Sequence, residues 1–96
     1  MVRHIVMWKL KEENKAENAR LLKEKLEGLV GIIPEIKELE VGININDDSA
    51  AYDAALNSVF CSLEDLEKYQ KNPNHAAVSE FCKSIRISRV VVDYNF

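Results

Sequence analysis

The sequence predicts an α+β fold with the element order β-α-β-β-α-β, on three observations. The N-terminal run alternates with period two, two later segments repeat apolar residues at helical spacing, and three further runs are extended in character.

In "VRHIVMWKL", Val2 to Leu10, the residues His4, Val6, Trp8 and Leu10 share one side. Ile5 and Met7 share the other, flanked by Arg3 and Lys9. Both sides are largely apolar, so this first strand is expected between two packed layers. From about Lys15 to Val30, Ala19, Leu22, Leu26, Leu29 and Val30 recur at helical spacing among charges that suit a solvated face. Gly28 and Gly31 loosen the end of this helix, and Pro34 stops it.

"IKELEVGINI" then places Leu39, Val41, Ile43 and Ile45 on one face of a second strand, and "NDDSA" supplies a surface loop. A third extended run covers Tyr52 to Cys61. Ser62, followed three residues later by Asp65, has the pattern of a helix N-terminus whose hydroxyl accepts a backbone N–H. This second helix should break at Asn72-Pro73, because the residue before a proline is driven out of the α region. It should restart with Ala77, Val78, Phe81, Cys82 and Ile85 as its apolar stripe. "SRVVVDYNF" is the last strand, with Val90, Val92, Tyr94 and Phe96 in line. Two right-handed crossovers then close a four-stranded antiparallel sheet with helices on one face, which is a ferredoxin-like fold. His4, Val6, Trp8 and Leu10 are expected on the helix-free face, and an apolar sheet face of that size calls for a second copy of the chain related by a two-fold axis.

Composition narrows the function classes. The 96 residues are 47% hydrophobic with three glycines and two prolines, so one domain spanning 1–96 is expected. Thirteen basic against sixteen acidic residues give a net charge of −3, with no basic face to follow a phosphate backbone, so no nucleic acid partner is expected. The third strand also lacks the basic and stacked-aromatic motif of RNA-recognition domains that share this element order. No apolar run approaches the ~18 residues of a membrane span, and a cytoplasmic protein without membrane association is expected. Cys61 and Cys82 are too few and too far apart for a disulfide framework and are expected as reduced, largely buried thiols. Neither an i,i+4 histidine pair nor a CxxC is present, so no metal and no cofactor is expected.

"RHIVMWKLKEE", "LVGIIPEIKELEVGIN", "YDAALNSVFCSLEDLEKYQKNPNH" and "RVVVDY", in this order and spacing, resemble the stress-responsive A/B barrel (Dabb) family over nearly the whole chain. The resemblance implies a homodimer in which two ferredoxin-like sheets face one another as an α+β barrel. Family functions include plant stress proteins, plant proteins with antimicrobial activity, and olivetolic acid cyclase, which folds a linear polyketide by aldol condensation. Similarity to that cyclase implies pocket roles for His4, Tyr69 and His75 and a small apolar or polyketide-like ligand. Two positions depart from the pattern. Asn72 stands where the family often has the first histidine of Tyr-x-x-His-Pro-x-His, and Leu26 stands where the cyclase has a pocket tyrosine.

The three candidate catalytic residues also have a physical case. His75 follows the Asn72-Pro73 break near a helix N-terminus, where the positive end of the dipole favours neutral imidazole and hence a general base. Tyr69 could direct its hydroxyl at a substrate carbonyl and support a developing enolate. His4 is expected to project into the space between the two sheets and orient a polar ligand group. The alternative is a non-catalytic barrel, stress-related or ligand-binding, in which His75 closes a turn, His4 is a satisfied core histidine and Tyr69 is a core tyrosine.

Overall fold

The computed structural model describes residues 1–96. Its elements are β1 (Val2–Leu10), α1 (Lys15–Glu27), β2 (Glu38–Ile43), β3 (Ala54–Phe60), α2 (Leu63–Lys71), α3 (Pro73–Ile85) and β4 (Arg86–Asn95). The strands form one antiparallel sheet in the order β2-β3-β1-β4, so the N-terminal strand is interior and pairs with both β3 and β4. This is the ferredoxin-like α+β fold, with the second helix divided in two. No helix is long and apolar enough to cross a membrane.

The orientation of β1 corrects the sequence-based expectation. His4, Val6, Trp8 and Leu10 face the helices and are buried in one core with Leu22, Leu26, Leu56 and Tyr69. The helix-free face instead carries Arg3, Ile5, Met7 and Lys9, beside Val90, Val92 and Tyr94 of β4. The physical reason is charge. The even-numbered set has no charged member, whereas the odd-numbered set ends in Arg3 and Lys9, which keep their charges solvated at the sheet margin. The helix-free face remains apolar at its centre, where Met7, Val90 and Val92 are 40%, 40% and 53% exposed.

Several element ends also shift. α1 stops at Glu27, three residues short of Val30, with Gly28 at its C-cap. The chain then turns through Gly31 at φ 87°, a left-handed value that a residue with a Cβ rarely adopts. Leu29 and Ile33 stay in the core even though they lie beyond the helix. β3 begins at Ala54 rather than Tyr52, β4 begins at Arg86, and Ile45 lies outside β2. Of the two free thiols only Cys82 is buried; Cys61, at the exposed end of β3, is not. The edge strand β2 is tied to α1 through its backbone: Val41 N–H donates to Glu27 Oε2 at 3.0 Å, and Lys23 Nζ donates to Val41 O at 2.6 Å. These bonds occupy groups that an open edge would offer to another strand.

The break between α2 and α3 forms as expected. Ser62 accepts from the Asp65 N–H at 3.1 Å to start α2. Pro73 has no N–H for the Tyr69 carbonyl, which accepts from Asn72 N at 3.2 Å instead. Asn72, extended at ψ 133°, ends α2 and begins α3, its side chain accepting from Asn74 N–H at 2.9 Å. Replacing Asn72 with Ala removes that cap and should lower stability by about 1 kcal/mol. Urea denaturation of both proteins at one fixed concentration measures the difference.

Candidate functional site

A cavity of about 190 Å³ lies between the helix side of the sheet and α3. Val6 and Trp8 of β1, Leu26 of α1 and Leu56 of β3 give it apolar walls. His4, Tyr69 and His75 converge on it, so the structure brings the three sequence-derived candidates together. They meet on the helix side of the sheet within one chain, and not between two sheets, because the even-numbered side of β1 faces the helices.

Tyr69 sits at the last turn of α2 with its side chain fully buried against Phe60, ring centroids 5.0 Å apart. Its hydroxyl is buried and has no hydrogen-bond partner in the chain. An unsatisfied buried polar group costs ~1–3 kcal/mol, so a native fold rarely keeps one without a use. Burial pushes the phenol well above its ordinary 10.0, the neighbouring Cys82 thiol adds to this, and Arg89 opposes both. The hydroxyl is therefore held as a hydrogen-bond donor.

His75 packs against Tyr69 with the rings tilted at 54° and their centroids 4.4 Å apart. Its Nδ1–H donates to the Gln70 carbonyl at 3.2 Å, which leaves Nε2 as the bare lone pair. That carbonyl is free because Asn74 N–H, its ordinary helical partner four residues on, is taken by the Asn72 side chain. Burial lowers the His75 pKa from its ordinary value; the Gln70 bond works the other way, and the neighbouring His4 ring and the Arg89 guanidinium add to the lowering. The ring is neutral near pH 7.

His4 lies edge-on to Tyr69, centroids 6.5 Å apart. Ser58 Oγ donates to its backbone carbonyl at 3.0 Å, and its Nδ1 meets Asp93 Oδ1 at 2.5 Å. A carboxylate accepts only from a protonated Nδ1, so in the neutral ring Nε2 is the nitrogen left with a lone pair. Asp93 pairs directly with His4 across the β1–β4 ladder, and its side chain is one-third exposed. Sequence reasoning missed Asp93, although a single acid out of phase with Val90, Val92 and Tyr94 in "RVVVDY" marks a polar demand on the opposite face. It also missed Lys83, Arg86 and Arg89, which line the cavity as well. The two departures have structural accounts: Asn72 caps α3, and Leu26 supplies apolar wall. The arrangement unites two imidazoles whose Nδ1 atoms are engaged, one idle hydroxyl donor and an apolar wall, the equipment for moving a proton on a small oxygenated molecule.

A family model described as "Stress responsive A/B Barrel Domain" matches residues 2–96. An uncharacterized protein of Streptomyces coelicolor is 32% identical over 98 residues, covering 100% of both chains. A dimeric protein of unknown function and ferredoxin-like fold from Bacteroides fragilis superposes with a TM-score of 0.91 at 35% identity, over 99% of this chain and 95% of that one. A hydroxynitrile lyase from Passiflora edulis superposes with a TM-score of 0.84 at 24% identity, over 97% of this chain and 90% of that one, a likeness of fold.

Because the folded pKa of His75 lies below the ordinary 6.5, the unfolded chain binds the extra proton first as pH falls. The contribution of neutral, half-buried His75 is thus complete above pH 6.5 and is lost as pH falls through the folded pKa. The His75 ring proton should titrate by NMR with a midpoint below 6.5, and His75→Gln should flatten the fall in stability within that window. A midpoint at or above 6.5 contradicts the assignment.

Proposed function

The chain belongs to the stress responsive A/B barrel domain family, and from that membership we propose that it works as a homodimer whose cavity binds a small oxygenated molecule and removes a proton from it, with His75 as general base. The observation that carries this reading is the buried Tyr69 hydroxyl without a partner, beside two imidazoles whose Nδ1 atoms are already engaged.

The chemistry is general acid–base catalysis of the polyketide-cyclase or lyase type. His75 Nε2 takes a proton from a carbon next to a carbonyl, and the electron pair of the broken C–H bond moves onto the carbonyl oxygen. Tyr69 donates to that oxygen as its charge grows, a stabilisation that is largest in the transition state. His4, oriented by Asp93, offers its Nε2 to a second polar group of the ligand. The proton held on His75 then returns to the carbon or passes to the product oxygen.

A panel of small enolisable ketones and β-dicarbonyl compounds in deuterium oxide, with hydroxynitriles as a lyase arm, tests the reading by NMR. Wild type should accelerate exchange or cleavage of at least one member, and His75→Ala should lose about 10²–10⁴-fold of that rate. Tyr69→Phe should lower the rate without destabilising the fold, because the hydroxyl has no internal bond to lose. Equal rates in wild type and His75→Ala remove His75 from the mechanism. Binding without turnover by wild type returns the non-catalytic barrel.

The dimer is proposed to form through the helix-free face centred on Met7, Val90 and Val92. The dimeric state of the Bacteroides fragilis relative supports the assembly, and the exposed apolar side chains support the face. Val92→Lys would set a charge into the middle of that patch and should convert the dimer to monomer in sedimentation at micromolar concentration. A variant that stays dimeric places the interface elsewhere.

A further inference from the structure

Arg86 and Arg89 are three residues apart in one strand, a spacing that puts side chains on opposite faces of a regular sheet. Here they share the helix side. Lys9 pairs with Ser88 but Leu10 pairs with Arg86, so β4 carries one extra residue, Ile87, opposite that step. The bulge brings Arg86 opposite Leu10 and Arg89 opposite Trp8, both on the buried side of β1. Leu10 N–H, at the irregularity, donates to Asp53 Oδ2 at 2.7 Å, and Lys11 N–H donates to Ile85 O at 2.9 Å, so the distortion is anchored. Bulges commonly re-aim a side chain beside a functional site, and this one turns a second guanidinium toward the cavity.

Neither guanidinium is neutralised there. Asp93, in the same strand, is held by His4, and Lys83, also at the cavity, meets only the exposed Glu80 at 3.5 Å. The charge of Arg89 reaches inward far enough to act on both Tyr69 and His75. The same cavity has apolar wall from Val6, Trp8, Leu26 and Leu56.

We infer that the ligand of this cavity is a small organic acid, its carboxylate bound by Arg86 and Arg89, its apolar part against Val6, Trp8, Leu26 and Leu56, and its reacting carbonyl turned toward Tyr69 and His75. The inference rests on the proposal that the cavity binds a small oxygenated molecule, and it names the class. A guanidinium fork matches a carboxylate with two parallel hydrogen bonds. Inorganic phosphate would match the guanidinium groups but leave the apolar wall unused. A cavity of roughly 150 Å³ accommodates benzene, so about 190 Å³ suits a body of one ring or a short chain.

The test titrates the full-length protein with benzoate, hexanoate and acetoacetate, each beside its neutral amide, and with inorganic phosphate, following the His75 ring proton and other site resonances by NMR. At least one acid should bind at least about tenfold more tightly than its amide, since charge-assisted bonds are the stronger kind. Arg89→Gln and Arg86→Gln should each weaken the acid by a similar factor and leave the amide unchanged, with circular dichroism confirming the fold. Phosphate should not compete. Equal binding of acid and amide, unchanged acid binding in both variants, or phosphate competing as strongly as the best acid would overturn the carboxylate assignment and leave the cavity proposal standing. If no acid and no amide binds, both fall.

Discussion

The interior position of β1 in the sheet is the constraint on which the rest of the structure depends. As an interior strand it must satisfy a ladder on both edges, and its side chains meet a different environment on each face. Its even-numbered face carries no charge and so becomes the floor of the helix-side core, with His4 as the one polar group among Val6, Trp8 and Leu10. That histidine is tolerated because both of its neighbouring strands serve it: β3 through the Ser58 hydroxyl on its carbonyl, and β4 through Asp93 on its ring. A buried imidazole without such partners would carry the desolvation cost of an unpaired polar group.

The second structural determinant is Pro73. In an uninterrupted helix, residues six apart point about 240° away from one another, so Tyr69 and His75 could not pack together. The break removes that constraint and frees the Gln70 carbonyl, which then fixes the His75 tautomer. One residue without an N–H therefore sets the ring contact and the direction of the imidazole. Asn72 supports the same geometry by taking the Asn74 N–H, a role that a histidine there would not fill as well at an N-cap.

Much of this was legible in the sequence because it is local. The helix and strand periodicities, the Ser62 cap and the Asn72-Pro73 break depend on residues within a few positions of one another, whereas the shared pocket of His4, Tyr69 and His75 came from the family resemblance. The orientation of β1 was less accessible, since both of its faces are apolar and only the charges of Arg3 and Lys9 distinguish them. Asp93 and the arginine pair depend on register between strands at opposite ends of the chain: Asp93 meets a residue 89 positions away, and Arg86 reaches the cavity side only through a bulge. Periodicity reports which residues of one strand share a face. A bulge changes that relation within the strand, so the period alone assigns Arg86 to the wrong side.

The charges around the cavity act on one another in a way that joins the two proposals. Before a ligand arrives, burial first, and then the positive charge of Arg89, keep His75 unprotonated and available as a base. A carboxylate settling on Arg86 and Arg89 would offset the part of that lowering that comes from Arg89, because an anion within a few ångströms favours the imidazolium. The proton affinity of His75 would then rise on binding, when a proton is to be taken from the ligand. The burial contribution would persist while the apolar walls remain closed around the ligand, so the rise stays partial and the proton can be returned. On this account the arginines lie away from the reacting carbon yet influence the base as well as the binding, while Asp93, already paired with His4, leaves their charge free for the ligand.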